Sequence, residues 1–150
     1  MVQSTLAAYT KVEVETGLTE ADPHKLVVML FEGAIRAVAQ ARGHMLRGET
    51  AAKGEAISKA VAIIDEGLKL SLDLEVGGEL AKNLSALYDY MSTRLIYGNL
   101  KNYIEPLDEV GRLLAELKTA WEAIGKRGYA AADATPAVAV SSQSAARGSA

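Results

Sequence analysis

Residues 83–102 read NLSALYDYMSTRLIYGNLKN, and this stretch decides the fold. Its large apolar residues recur at steps of three and four, which is the spacing of one face of an α-helix. The predicted buried stripe consists of Leu80, Leu84, Leu87, Met91 and Leu95. Further apolar residues fall beside this stripe, namely Tyr88, Ile96 and Leu100. Because this surface is wider than one packing seam requires, we expect the helix to lie centrally in a bundle or to be covered by a second molecule.

A second long helix is predicted to begin at Asp22-Pro23, because Asp is a good N-cap residue and Pro suits the first helical position. Its main apolar stripe is Leu26, Leu30, Ala34, Ala37, Ala41 and Met45. A neighbouring stripe is Val27, Phe31, Ile35 and Val38. Gly48 is expected to follow the end of this helix, where glycine adopts the left-handed conformation at little cost.

Two more helical patterns complete the chain. One runs from about Thr50 to Leu74 and is expected to end before Gly77-Gly78, and the stretch quoted above then extends over about 79–101. The last begins near Pro106, with the seam Val110, Leu113, Leu114, Leu117, Trp121 and Ile124. Four long helices with short connections predict an all-α, antiparallel, up-down-up-down four-helix bundle.

The bundle is predicted to occupy residues 22–129. Residues 1–21 form a lead-in segment with scattered apolar residues, of which Leu6 and Tyr9 are the expected docking points on the bundle. Residues 130–150 are mostly small and polar with little charge, so they cannot bury enough apolar surface to offset the entropy of ordering. We therefore predict a disordered C-terminal tail.

Composition excludes several classes of function. With a formal net charge of −3 the field of the whole molecule would not attract nucleic acid, and the absence of cysteine excludes disulfides and thiolate metal sites. No apolar run is long enough to span a membrane. The N-terminus shows no basic region followed by an apolar core, so we predict no secretory signal and a cytoplasmic protein.

No constellation of catalytic residues is found. A di-iron bundle needs two Glu-x-x-His pairs, but Ala21 and Ala41 stand three residues before the only histidines, His24 and His44. His24 is interpreted as a lone surface histidine. A phosphate-binding glycine loop is also missing. We predict no enzymatic activity, no cofactor and no metal.

Two tyrosines of the first stretch point to different sides of the helix. Tyr88 and Tyr90 cannot both be core residues, because two positions on a helix are separated by about 200°. The sequence leaves open whether the exposed tyrosine packs at a rim or belongs to a binding surface.

The chain resembles the flagellin-export chaperones of the FliS family over about residues 6–125. The third helix carries the resemblance most clearly, in Asn83, Leu84, Leu87, Tyr88, Asp89, Tyr90, Met91, Arg94, Leu95, Asn99 and Leu100. Further matches are Ala8-Tyr9, Asp22-Pro23, Leu26, Met29, Leu30, Phe31, Gly33, Ala34 and Trp121. The segment from Tyr9 to Pro23 is a few residues longer than is usual in the family, with Thr16-Gly17-Leu18 as the expected insertion.

The resemblance implies a cytoplasmic chaperone that binds the disordered C-terminal segment of flagellin, prevents its premature polymerisation and assists its delivery to the flagellar type III export gate. The predicted flagellin-binding residues are Leu6, Tyr9, Leu26, Leu30, Phe31, Ile35, Tyr88, Met91 and Leu95. Nucleic acid and membrane insertion are not expected. The alternative is a self-associating structural bundle, without a client, whose extra apolar stripe is buried in a homodimer.

Deletion of residues 132–150 is predicted to leave the melting temperature and flagellin binding unchanged, because the tail has no apolar periodicity with which to dock. Thermal unfolding and titration calorimetry of the shortened chain test this. A fall of several degrees in the melting temperature would contradict it.

Overall fold

The structure is a computed structural model that describes residues 22–130, with side chains described through Gly125. Four α-helices run through this part: α1 (Pro23–Leu46), α2 (Thr50–Ala62), α3 (Leu74–Lys101) and α4 (Glu105–Ala130). Helix α2 continues directly into a π-helical segment, Ile63–Leu68. No strand occurs between residues 22 and 130. Helices α1 and α3 each pack against α2 and α4, which confirms the predicted all-α four-helix architecture. The predicted lead-in and most of the predicted tail lie outside the described residues.

The ends of α1 follow the predicted chemistry. The Asp22 carboxylate accepts a hydrogen bond from the Lys25 backbone N–H at 3.1 Å, and Pro23 occupies the first helical position. At the other end Gly48 has φ +72°, which places it in the left-handed region. This conformation costs a glycine little, so the chain can turn sharply into α2.

The predicted end of the second helix near Leu74 is wrong. The π segment ends at Leu68, and Ser71 closes the last turn, donating from its backbone N–H to the Gly67 carbonyl at 3.1 Å and from Oγ to the Leu68 carbonyl at 2.8 Å. The next helix starts at Leu74 because the Asp73 carboxylate accepts from the backbone N–H groups of Glu75 and Val76, at 3.1 and 3.0 Å. The glycine pair therefore lies inside α3, where Gly78 (φ +57°, ψ −134°) introduces a kink.

The core lies along the bundle axis, and every helix contributes to it. Helix α1 presents a line of small residues to its neighbours, with Ala34 and Ala41 fully buried and Ala37 1% exposed. Larger residues fill the space opposite this line: Ile57, Ile63, Ile64, Leu68, Met91, Leu95, Leu107, Val110 and Leu114. Each buried side chain of this size contributes about 1.5–3 kcal/mol relative to an exposed one.

The buried face of α3 is displaced from the predicted stripe near its start. Met91 and Leu95 are fully buried as expected, but Leu80 is 38% exposed. Ala81, Tyr88 and Ser92 are buried instead, so Tyr88 is the core tyrosine. In the regular helix that follows Gly78, Leu80 lies about 60° around the axis from Leu95, so it falls at the edge of the buried face rather than at its centre.

Gly98→Ala is predicted to lower the free energy of unfolding by about 1–3 kcal/mol, because it overpacks a tight corner. A Cβ atom on Gly98 would lie 2.8 Å from Leu107 Cδ1 and 3.1 Å from the Tyr103 carbonyl oxygen. Gly54→Ala is the matched control, since a Cβ there meets no atom within 4 Å.

In the control, alanine replaces glycine within a helix and should raise stability by about 0.5–1 kcal/mol. Urea unfolding of both variants provides the measurement. Equal effects of the same sign would show that the close approach at Gly98 is unimportant.

Candidate functional site

An apolar pocket of about 340 Å³ opens at the end of the bundle where α1 begins. Its walls come from α1, the π segment, the connection after it and α4. The lining residues are Pro23, His24, Leu26, Val27, Leu30, Gly67, Leu70, Ser71 and Trp121. Pockets of this size with apolar walls and few polar groups are typical binding sites.

The π segment shapes the floor of this pocket. Its wider turn is closed by a hydrogen bond of 2.8 Å from the Lys69 backbone N–H to the Ile64 carbonyl, five residues earlier. The turn directs Gly67 toward α1, where a Cβ atom would come within 3.0 Å of Leu30 Cδ2. Leu30, only 1% exposed, is therefore held as the pocket floor. π turns inside α-helices are frequent at functional sites.

His24 and Trp121 form one wall of the pocket, and their contacts, which we call the His24–Trp121 pair, join α1 to α4. The two rings stack with centroids 5.0 Å apart and an angle of 10° between their planes. His24 Nε2 lies 2.7 Å from the Trp121 carbonyl oxygen, and Trp121 Nε1 donates to the His24 carbonyl at 3.1 Å. The interpretation of His24 as a lone surface histidine is therefore wrong.

The absence of a side chain at Gly125 makes the His24–Trp121 pair possible. An ideal Cβ atom on Gly125 would overlap the His24 ring, at 2.2 Å from both Cε1 and Nε2. In the sequence this contact is visible only as a glycine four residues after a tryptophan, and that spacing indicates nothing unless the position of His24 on α1 is known.

Large apolar side chains continue outward from the pocket over the connection to α3. Leu70 is 61% exposed and lines the pocket, and the following residues include Leu74, Val76 and Leu80, which are 54%, 68% and 38% exposed. Sequence reasoning missed this surface because the region was assigned to the end of one helix and a glycine loop.

A shallower groove of about 420 Å³ runs between α1 and α4. It is lined by Glu32, Ile35, Arg36, Ala115, Lys118 and Thr119. Lys118 Nζ lies 3.1 Å from Glu122 and 3.8 Å from Glu32, so an ion pair bridges the two helices beside Ile35.

The structure brings only some of the predicted site residues together. Leu26 and Leu30 meet in the pocket, and Ile35 lines the groove. Five predicted residues are core side chains, with at most 4% of their surface exposed: Leu30, Phe31, Tyr88, Met91 and Leu95. Burial also raises the pKa of the Tyr88 phenol. Leu6 and Tyr9 lie outside the described residues.

Among the described residues, no group of histidine and carboxylate side chains could hold a metal ion. None of the described helices combines the length and apolarity that a membrane crossing requires. A helical bundle with an apolar pocket and exposed apolar residues next to it in the chain is typical of proteins that bind other polypeptides.

Residues 5–128 match the model of the family described as Flagellar protein FliS. The chain is 48% identical over 124 residues to the flagellar secretion chaperone FliS of Salmonella typhimurium, an alignment that covers 83% of this chain and 92% of that protein. It is 46% identical over 116 residues to the flagellar secretion chaperone FliSB of Pseudomonas aeruginosa, covering 77% and 91%. The chain belongs to the FliS family of flagellar secretion chaperones, and it is not an enzyme.

Proposed function

We propose that this chaperone binds the C-terminal segment of flagellin in the cytoplasm and holds it in helical form against the bundle. The bound segment then cannot join other flagellin subunits, and the complex can be passed to the flagellar export gate. The observation that carries this proposal is the apolar pocket at the start of α1, together with the exposed side chains beside it.

The pocket favours an apolar side chain of a client helix. Leu26 and Val27 offer an apolar wall, and Leu70 extends that wall into solvent. A helix that lies in such a groove inserts residues spaced three and four apart, and it gains stability mainly by burying them.

The groove between α1 and α4 offers a second apolar contact, on a different face of α1. Ile35 provides an apolar contact in it, and the Lys118–Glu32 pair provides charges at its edge. On α1, Ile35 follows Leu26 by nine residues, which corresponds to roughly 14 Å of helix. The same nine residues turn the helix by about 180°, so Leu26 and Ile35 lie on opposite faces of α1 and a single client helix would contact only one of them.

The predicted flagellin contacts of Phe31, Tyr88, Met91 and Leu95 also remain proposals, but they differ from the others because they require the bundle to open. These side chains support the core, so a client could reach them only if the helices part. Removing such residues from their packing costs several kcal/mol each. The accessible residues Leu26, Ile35 and Leu70 are therefore the better first contacts.

The alternative function is a self-associating bundle, which the exposed apolar surface near Leu74 and Val76 also favours. Light-scattering mass measurement with and without flagellin distinguishes the two functions. A chaperone gives a complex with intact flagellin and none with flagellin truncated at its C-terminus. A homodimer that ignores flagellin would refute the client proposal.

Leu70→Ser is predicted to weaken flagellin binding roughly tenfold, because it removes about 1.4 kcal/mol of apolar contact at the pocket mouth. Leu46→Ser is the matched control, since Leu46 has a similar exposure of 65% but is the last residue of α1, at the end of that helix away from the pocket. Titration calorimetry measures both variants. The same affinity in both would exclude the pocket mouth from the client site.

The lead-in is proposed to form part of the flagellin-binding surface through Leu6 and Tyr9. It joins the bundle at Asp22, next to Pro23 in the pocket wall, and tyrosine combines a large apolar ring with a hydroxyl that can stay hydrated. Deletion of residues 1–15 and Tyr9→Ala are both expected to weaken flagellin binding. Tighter binding after deletion would show that the segment only competes with the client, and unchanged affinity in both variants would exclude it from the site.

A further inference from the structure

A second exposed apolar surface lies at the opposite end of the bundle, on the outer face of α3 and the turn after it. It consists of Ile96, Tyr97, Leu100 and Tyr103, which are 48%, 40%, 77% and 48% exposed. We call these four residues the α3 end patch. Four side chains of this size at about half exposure present roughly 400 Å² of surface, which is in the range of functional patches on monomeric proteins.

Asn102 and Lys53 fix the turn that carries Tyr103. Asn102 has φ +59°, the left-handed conformation at a helix end that asparagine adopts more readily than most residues other than glycine. Lys53, only 5% exposed, donates from Nζ to the Asn99 carbonyl at 3.1 Å and to Asn102 Oδ1 at 3.0 Å. Burying an ammonium group is unfavourable unless it is hydrogen-bonded in this way. The turn is therefore held in one conformation.

This turn brings the two tyrosines together. The Tyr97 and Tyr103 rings meet edge to face, with centroids 5.7 Å apart and an angle of 70° between their planes. Gly98 allows the Tyr103 carbonyl to approach α3, as the 3.1 Å distance to an ideal Cβ shows. A rigid patch loses little conformational entropy when it binds a partner, so most of the free energy gained by burying its apolar area stabilises the complex.

Positive charges flank the patch along α3. Arg94 Cζ lies 5.6 Å from the Tyr97 ring centroid, and Lys101 follows Tyr97 by one helical turn. Arg94 Nε donates to Glu109 Oε1 at 2.9 Å, while Tyr90 donates to Glu109 Oε2 at 2.6 Å, so both oxygens of that carboxylate are engaged.

These positive groups retain capacity for a partner. Among the described residues, the other guanidinium nitrogens of Arg94 have no hydrogen-bond partner, and Lys101 has no ion pair. A guanidinium group carries five N–H donors, so Arg94 can keep its bond to Glu109 and still bind a second carboxylate.

We propose that the α3 end patch is a docking surface for an acidic amphipathic helix of a second protein, separate from the flagellin site. The apolar residues of the partner helix would pack on Ile96, Tyr97 and Leu100, and the carboxylates flanking them would face Arg94 and Lys101. A second copy of this chain fits less well. The patch offers about half of the roughly 800 Å² per partner that a stable dimer buries, and a two-fold contact would bring Lys101 near its own copy.

The direct test uses a synthetic peptide of about 18 residues, long enough to form a helix in water, with leucines at helical spacing and flanking glutamates. A second peptide carries lysines in place of the glutamates. Calorimetry with the full chain should show binding of the acidic peptide at least about tenfold tighter than that of the basic one. No binding, or equal binding, overturns the proposal.

Variants then locate the surface. Ile96→Ser/Leu100→Ser should abolish binding of the acidic peptide, and Leu46→Ser should leave it unchanged. Lys101→Glu should weaken it roughly tenfold. The control for charge is Lys25→Glu, since Lys25 is exposed at the other end of the bundle and has no ion pair among the described residues. Equal effects of the two charge reversals would refute the specific contact.

Two further measurements, of flagellin affinity and of mass in solution, test whether flagellin or a second copy of this chain occupies the patch instead. Ile96→Ser/Leu100→Ser should bind flagellin with wild-type affinity and should have the same mass in solution as the wild type. If this variant loses flagellin, the patch belongs to the client site, and if a wild-type dimer dissociates, the patch is an interface between copies. Either result overturns the proposal.

Discussion

The close packing of the alanine face of α1 is the constraint on which the bundle depends. Ala34, Ala37 and Ala41 are at most 1% exposed, and α1 contacts both of its neighbours along this line. Small residues allow helix axes to approach closely, so the larger side chains of α2, α3 and α4 fill one continuous core. Toward the start of α1, leucine and valine replace alanine and α2 gives way to a π turn. The apolar pocket lies at this end of the bundle.

Side chains rather than loops fix the helix ends. Asp22 and Asp73 cap α1 and α3 at their N-termini, and the buried Lys53 binds the carbonyl of Asn99 near the C-terminus of α3. Each such bond satisfies a backbone or side-chain group that would otherwise cost about 1–3 kcal/mol if buried. The helix ends that carry the exposed leucines and tyrosines are therefore fixed, so these side chains remain exposed in the folded chain.

Helical periodicity was sufficient to predict the number of helices, their order and most of the core. The stripe from Leu30 to Met45 is buried as predicted, because residues at steps of three and four share one face of the helix and that face packs into the core. The errors arose where a single side chain decides the outcome. Asp73 starts α3 before the glycine pair, and His24 meets a partner 97 residues away. Sequence spacing carries no information about such contacts, so the pocket could not be located from the sequence.

The two apolar surfaces are far enough apart to act independently. Leu80, an exposed residue near the start of α3, precedes Ile96 by sixteen residues, which corresponds to roughly 24 Å of helix. Coupling over such a distance requires an element with two discrete arrangements. Beyond Gly78, α3 is one regular helix, and Met91 and Leu95 fix it to the core between the two surfaces. A molecule bound at the pocket would therefore leave the α3 end patch unchanged in shape. On the proposed assignments, the chaperone can present a bound client at one end while the other end remains free for a second partner.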